Sequence, residues 1–493
     1  MSAPDGVLTA PTAPAYFRFR RVAGGMLITN DLGRHRLLDE EQFRRFSQGE
    51  IDPDSPFGAE LCRDGFVRDR MDFGALSALW AKRHRFLWDG PSLHVVVVTL
   101  RCDHRCLYCH ASSVPMNNLS TDMTVETAGR VLDRIFSGPS RALTIEFQGG
   151  EPLANWPVVQ FIVEDARRRA KESGKTLWLN LVTNLSFMDR EKLAWLLRRG
   201  VNFCTSLDGP AEVHDRNRPR PDGHAHENAA YWFKEIMGRT RRKTFRIDAL
   251  LTVTRASLGK PREVVDSYAE LGAGGIFLRP LNPYGVALAT WKTIGYGPEE
   301  FLEFYRAALD RVLEINRERT LRRPFAEQTA RLYLSKILTD EDPNYLDMRS
   351  PCGAGIGQMA YNWDGGIYTC DEGRMLARMG DDTFKIGDAA QGSYAEDVSH
   401  PAVRALTVAS TLDNQVSCSN CAYKPYCGVC PVQCYKEQGD IMGRMPTNSR
   451  CKISMGILDL LFERLQDPRN EKIFRAWLRR KKGMDVEPLY QRS

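Results

Sequence analysis

Cys102, Cys106 and Cys109 form a C-x3-C-x2-C triplet directly after the apolar run Val95 to Leu100. Three thiolates on one short loop can hold three irons of a cubane 4Fe-4S cluster and leave the fourth iron open to an exchangeable ligand. Zinc is the competing chemistry, but it favours paired C-x2-C units over three cysteines spread along eight residues. A second set lies downstream: Cys352 and Cys370 with Gly365 between them, then Cys418, Cys421, Cys427, Cys430 and Cys434, and finally Cys451. Eight thiols within about a hundred residues exceed structural need and suffice for two cubanes at four each, with zinc ribbons as the rival. Only Cys62 and Cys204 stand alone among the thirteen cysteines, so disulfides explain the pattern poorly.

Other polar residues fall at the ends of apolar runs. Gly149, Gly150, Glu151 and Pro152 follow Leu143 to Phe147; two glycines let backbone approach a ligand, Glu151 can accept a hydrogen bond from an amine, and a plain turn is the alternative. Ser206 and Asp208 end the run Phe203 to Leu207, and Asn184 ends Leu177 to Val182. The planar fork of Arg218 can pair with a carboxylate, or lie on the surface. Asp371 and Glu372 follow Cys370, where an acid can be an exposed turn residue or a hydrogen-bond partner of a cysteine loop.

These residues need elements to hold them. From His94 onward six apolar strands, Val95 to Leu100, Leu143 to Phe147, Leu177 to Val182, Phe203 to Leu207, Ile247 to Val253 and Ile276 to Leu278, alternate with helical patterns, which implies an α/β fold with a parallel sheet. Ligands bind at the C-terminal edge of such sheets, where the polar residues fall. Upstream, three short strands (Tyr16 to Val22, Gly25 to Thr29, His35 to Leu38) and two helices (Glu40 to Gln48, Phe57 to Asp64) suggest a small winged-helix-like unit, or else a packing cap on the main domain. The expected organisation is a disordered start over 1–15, the winged-helix-like unit over 16–90, the barrel over 91–296, a helical bridge over 297–350, a cysteine-rich domain over 351–455 and a helical tail over 456–493.

With 43% apolar residues the chain can fill ordinary cores. Its 68 basic and 62 acidic residues are spread evenly, so the net charge of +6 does not point to nucleic acid. There is no run of eighteen apolar residues and no signal-like start, so a cytoplasmic protein without membrane segments is expected.

Taken together, these stretches resemble the radical S-adenosylmethionine (SAM) superfamily. The triplet, with Tyr108 before its last cysteine, resembles that superfamily's cluster loop, in which an aromatic residue lies against the adenine. GGEP (Gly149 to Pro152) is similar to the motif that binds the SAM amino group. SLDGP is similar to the one that holds the ribose through Ser206 and Asp208, with Asn184 nearby and Arg218 against the SAM carboxylate. The resemblance implies a partial (β/α)6 barrel that cleaves SAM to methionine and a 5'-deoxyadenosyl radical, while the protein supplies orientation and a dry cavity.

The downstream cysteines resemble the SPASM domain with two auxiliary 4Fe-4S clusters. The resemblance implies Cys418, Cys421, Cys427 and Cys451 for one cluster, and Cys352, Cys370 and either Cys430 or Cys434 for the other. The usual C-x5-C-x3-C is here C-x5-C-x2-C with an additional Cys434, and the cysteine usual soon after the first is absent. In related sulfatase-maturing enzymes a carboxylate at the place of Asp371 accepts a proton, a resemblance that makes Asp371 a candidate base, and the N-terminal unit resembles the element that grips a leader peptide as an added edge strand.

Across nearly the whole chain, VVVVTLRCDHRCLYCHASS, TIEFQGGEPLANW, CTSLDGPAEVHDRNRPR, IFLRPLNPYG, PNYLDMRSPCGAGIGQMAYNWDGGIYTCDEGRM and YKPYCGVCPVQC are similar to the B-type radical SAM maturase of the His-Xaa-Ser peptide system. That likeness implies modification of a ribosomally made precursor peptide, a second radical SAM maturase and a small accessory protein as partners, and a reducing electron donor. An anaerobic sulfatase-type maturase oxidising a Cys or Ser side chain is a second enzymatic reading. A non-catalytic iron-sulfur electron-transfer scaffold is a third, against which GGEP and SLDGP argue.

Overall fold

Short, β-branched runs bounded by polar turns become buried parallel strands. The computed structural model describes residues 12–239, 247–318, 324–343 and 345–479. Three antiparallel strands come first, β1 (Arg18–Val22), β2 (Gly25–Thr29) and β3 (His35–Leu38). The expected strands follow as β4 (Leu93–Thr99), β5 (Ala142–Gly149), β6 (Thr176–Thr183), β7 (Val201–Ser206) and β8 (Ile247–Thr252), each parallel to its predecessor. The sixth expected strand is divided between two sheets. β9 (Gly275–Ile276) pairs with β11 (Ala326–Glu327), whereas β10 (Leu278–Arg279) pairs with β8.

Alternation along each strand sends one set of side chains to the main core and the other to an inner face. Val96, Val98, Ile145, Phe147, Leu179, Leu181, Val201 and Phe203 are buried in the main core with helical residues such as Val131, Ile135, Val159 and Ile162. The helix Val125–Ser137 shows why such segments are helical: Thr124 caps the Thr127 N–H, and Ala128, Val131, Leu132 and Ile135 recur on one buried face. On the opposite strand face, Glu146 stands level with Val95 on one side and Asn180 on the other, and Asn180 is level with Asn202.

The downstream cysteine region is not a layer apart. β12 (Gln358–Tyr361) runs parallel to β4, and β13 (Gly366–Tyr368) and β14 (Lys385–Asp388) continue antiparallel, giving one nine-stranded sheet ordered β10-β8-β7-β6-β5-β4-β12-β13-β14. The pairing satisfies the backbone of β4 on the side away from β5, which an isolated cysteine domain would leave unpaired. Cys451 likewise lies in the helix Ser449–Arg464, which runs across the expected boundary at 455.

The N-terminal unit has its own small core of Ile28, Leu38, Phe46, Leu61 and Phe66, with helices Glu40–Ser47 and Pro56–Arg63. It is tied to the last cysteine segment. Thr29 Oγ1 donates to the Ala422 carbonyl at 2.7 Å, Tyr426 OH to that of Gly33 at 3.1 Å, and Arg20 to both Asp459 oxygens at 2.9 and 3.0 Å. Of the expected disordered start, 1–11 lie outside the described residues. Residues 12–15 are instead packed, because Ala15 N–H bonds the Phe66 carbonyl at 2.9 Å and Arg68 N–H that of Ala13 at 3.0 Å. Of the expected tail, 480–493 also lie outside the described residues. No described helix is long and apolar enough to cross a membrane.

Candidate functional site

The cysteine triplet leaves the C-terminal end of β4 and is held by segments distant in sequence. Arg105 N–H bonds the Pro219 carbonyl at 2.8 Å and Leu107 N–H the Asn217 carbonyl at 2.9 Å. Cys102 N–H bonds the Val114 carbonyl at 3.0 Å, and Val286 N–H that of Cys109 at 2.9 Å. Gly285, at φ +55°, permits that last approach, since a Cβ there would stand 2.4 Å from the Cys109 carbonyl oxygen. Behind the loop, Asp122 accepts from Arg101 Nε at 2.7 Å and Thr99 Oγ1 at 2.6 Å, fixing the strand end.

Gly149 and Gly150 follow β5 beside this loop. Their lack of side chains serves the packing of β5 against β4: a Cβ would stand 2.3 Å from the Thr99 oxygen at Gly149 and 2.4 Å from the Arg101 oxygen at Gly150. Glu151 is fully buried, and its oxygens accept from Leu153 N–H at 3.0 Å, Thr183 Oγ1 at 2.7 Å and Asn184 N–H at 2.8 Å. Three of a carboxylate's roughly four acceptor positions are thus occupied by the ends of β5 and β6. Burial pushes the Glu151 carboxyl up to about 7 against those hydrogen bonds. Asn184 Nδ2 lies 3.6 Å from Cys102 Sγ and 3.2 Å from Asp103 Oδ1.

Tyr108, Asp208 and Arg218 converge on one another. Asp208 Oδ2 accepts from Tyr108 OH at 2.5 Å, from Arg218 Nε at 3.1 Å and from Asn217 Nδ2 at 3.3 Å. The guanidinium lies 5.1 Å from the Tyr108 ring centroid and within 4.0 Å of Cys106 Sγ. Asp208 is therefore a buried hub whose oxygens are engaged by the protein, and Arg218 is its ion-pair partner rather than a surface arginine. Ser206 stands half-buried at the end of β7.

The downstream cysteines divide spatially. Cys352, Cys370 and Cys430 are buried together beside Tyr284, whereas Cys434 packs with Cys418, Cys427 and Cys451 around Leu412, Val429 and Met445. The Cys418 thiol is pushed up by burial and then by Cys427, Cys451, Cys421 and Cys434, so these five face one another. Asn448 Nδ2 lies 3.7 Å from Cys434 Sγ. Asp371 sits in the first turn of the helix Asp371–Ala377, capped by Cys370, and accepts from Arg374 Nε at 2.8 Å.

The three loop cysteines and the two downstream groups offer the thiol donors that iron-sulfur clusters take. Among the described residues, Cys102, Asp103 and His104 bring three ligand atoms all within 4.8 Å of one another. Burial pushes the Cys106 and Cys352 thiols up to about 12 and Cys434 to about 11.

Sequence reasoning missed Glu146 and Gln148. Gln148 Nε2 donates to Glu146 Oε1 at 2.6 Å on the inner face of β5. The signal was the period of two in Thr144-Ile145-Glu146-Phe147-Gln148, which puts an acid inside a strand otherwise buried on its alternate residues.

Comparison with known proteins agrees with this geometry. Residues 96–260 match the family model of the Radical SAM superfamily. A stretch of 136 residues, 27% of this chain and 44% of the relative, is 29% identical to an uncharacterised protein of Methanocaldococcus jannaschii. Another of 132 residues, 24% of this chain and 27% of the relative, is 25% identical to the radical SAM cyclopropyl synthase TigE of Paramaledivibacter caminithermalis. A third of 131 residues, 26% and 35%, is 28% identical to the cysteine-type anaerobic sulfatase-maturating enzyme of Clostridium perfringens. The chain spans less than half the length of each of these relatives.

Among solved structures, anSMEcpe with bound AdoMet aligns with TM-score 0.62 and 20% identity over 79% of this chain and 98% of that one. Streptococcus suis SuiB bound to precursor peptide SuiA aligns with TM-score 0.52 and 16% identity over 88% and 98%. At these identities the likeness is one of fold.

Proposed function

We propose that this chain is a radical SAM enzyme that modifies a ribosomally synthesised precursor peptide of the His-Xaa-Ser type. The observation that carries the reading is the convergence of the Cys102–Cys106–Cys109 loop, the GGEP turn and the Asp208–Arg218 hub at one end of a parallel sheet that also incorporates a second cysteine region. A 4Fe-4S cluster with SAM at its open iron supplies reductive cleavage of a carbon–sulfur bond and a radical for hydrogen abstraction when bound there.

The protein's part is placement. Cys102, Cys106 and Cys109 would hold that cluster, with Asn184 Nδ2 and Arg218 Nη1 directed at two of the sulfurs. Tyr108 is held by Asp208, and both side chains are buried, which keeps water from the bond between them. Cys352, Cys370 and Cys430 would serve one auxiliary cluster. Cys418, Cys421, Cys427 and Cys451 would serve the other, with Cys434 beside them. Asp371, oriented by Arg374, is the proposed base, and the N-terminal unit is the proposed grip on the leader. A second maturase, a small accessory protein and an electron donor complete the reading.

The test is anaerobic reconstitution with iron and sulfide, then mass spectrometry of a dithionite reaction containing SAM and a His-Xaa-Ser precursor peptide. 5'-Deoxyadenosine with a change in peptide mass is expected. No SAM cleavage by a fully loaded protein would sink the enzyme reading.

A further inference from the structure

Glu146 is a carboxylate in an unusual place. It lies mid-strand in β5 and is 1% exposed; Oε1 accepts from Gln148, the Asn180 side chain acts on the carboxyl as a more distant donor, and Oε2 has no partner within hydrogen-bond distance. Ile145 and Phe147 on either side face the main core, so Glu146 projects from the opposite, inner face. Position along the strand sets its depth. It is three residues before Gly149, on the run that leads up to the GGEP turn, and level with Val95 of β4 and Asn180 of β6.

Its surroundings are acidic. Asp371 and Arg279 both act on it electrostatically, and Glu372 beside Asp371 feels the same arginine. Glu146, Asp371 and Glu372 set three carboxyl groups against two guanidinium groups, Arg279 and the Arg374 that pairs with Asp371 at 2.8 Å. An unpaired buried carboxylate oxygen is costly, and it is retained where a ligand completes it.

Building on the peptide-modifying reading, we infer that Glu146 is a substrate-contacting residue whose Oε2 accepts a hydrogen bond from a positively charged side chain of the peptide, inserted into the inner face of the sheet below the cysteine loop. A cationic donor suits this position on two grounds. The open atom is an acceptor, and with Glu146 included the carboxyl groups here outnumber the guanidinium groups by one. A neutral donor would satisfy only the first, and an apolar side chain neither. Glu146 therefore selects which side chain enters, whereas the residues around Cys102 to Cys109 hold the reacting groups.

The experiment uses the reconstituted full-length protein and synthetic His-Xaa-Ser repeat peptides in which the histidines are kept or replaced throughout by Lys, norleucine, Arg, citrulline or Phe. Peptide-stimulated 5'-deoxyadenosine formation is measured and split into KM and kcat. In the unaltered protein, KM should be lower by about tenfold or more for Lys than norleucine, for Arg than citrulline and for His than Phe. In Glu146→Gln these differences should collapse. Equal KM values in the unaltered protein, a preference for the neutral donor citrulline over Arg, or a charge preference that survives in Glu146→Gln would each overturn the inference. The comparison within the unaltered protein stands even if Glu146→Gln does not fold. Absence of peptide-free SAM cleavage in the unaltered protein would remove the underlying enzyme reading, and the inference with it, whereas cleavage without charge discrimination overturns the inference alone.

Discussion

Asp208 concentrates much of the site's order in one carboxylate, because Tyr108, Asn217 and Arg218 all donate to its Oδ2 and Thr252 N–H reaches its Oδ1 at 3.4 Å. Asp208→Ala leaves a buried guanidinium without its counter-ion, and urea unfolding should show a loss of about 3–5 kcal/mol. The thiols behave differently. Replacing Cys102, Cys106 or Cys109 with Ala should abolish SAM cleavage while iron and sulfide counts retain the downstream share. Loss of all iron would show instead that the two sets assemble as one. Glu146 gives a stability signature that needs no substrate. Burial raises its carboxyl from the ordinary 4.5 to about 7, so the folded chain holds the proton more tightly than the unfolded one. The stabilisation is complete below pH 4.5 and is lost as pH rises through about 7. Denaturation across that range should show a falling unfolding free energy, with a shallower fall in Glu146→Gln.

At the scale of elements, the cysteine loop depends on contacts from far along the chain, and Gly285 is the most exacting of them. Gly285→Ala sets a methyl group against the Cys109 carbonyl at a left-handed φ. Reconstitution of the first cluster should fall, read as a loss of SAM-dependent cleavage, while the downstream clusters load normally. The elements themselves were legible in the residues. Val95 to Val98 is a continuous apolar run because a parallel strand is buried on both faces, and Thr124 or Asp189 announces a helix start. Partnership was not legible. SLDGP and HDRNR each look ready for a ligand, yet Asp208 and Arg218 bind each other, since spacing along the chain does not say which charged groups meet. The division of Ile276 to Leu278 between two sheets, and the grouping of Cys430 with Cys352, follow from tertiary packing that no local pattern encodes.

For the whole molecule, the N-terminal unit and the last cysteine segment are joined by polar contacts that include the half-exposed Arg20–Asp459 pair. A double-mutant cycle with Arg20→Ala and Asp459→Ala should return a coupling of about 0.5–1 kcal/mol that shrinks with added salt. The pairing of β12 with β4 has a consequence of another kind, in the order in which the protein is made. Gln358 to Tyr361 align with Leu93 to Val96, so the ribosome completes the whole run from β4 to β10 before the strand that covers the free side of β4 exists. During that interval the nascent chain carries an open, valine-rich edge, which is the feature that invites strand pairing between molecules. The downstream cysteine region therefore also acts as a late-arriving guard. Chains released before residue 358 are expected to be the aggregation-prone fraction of any preparation.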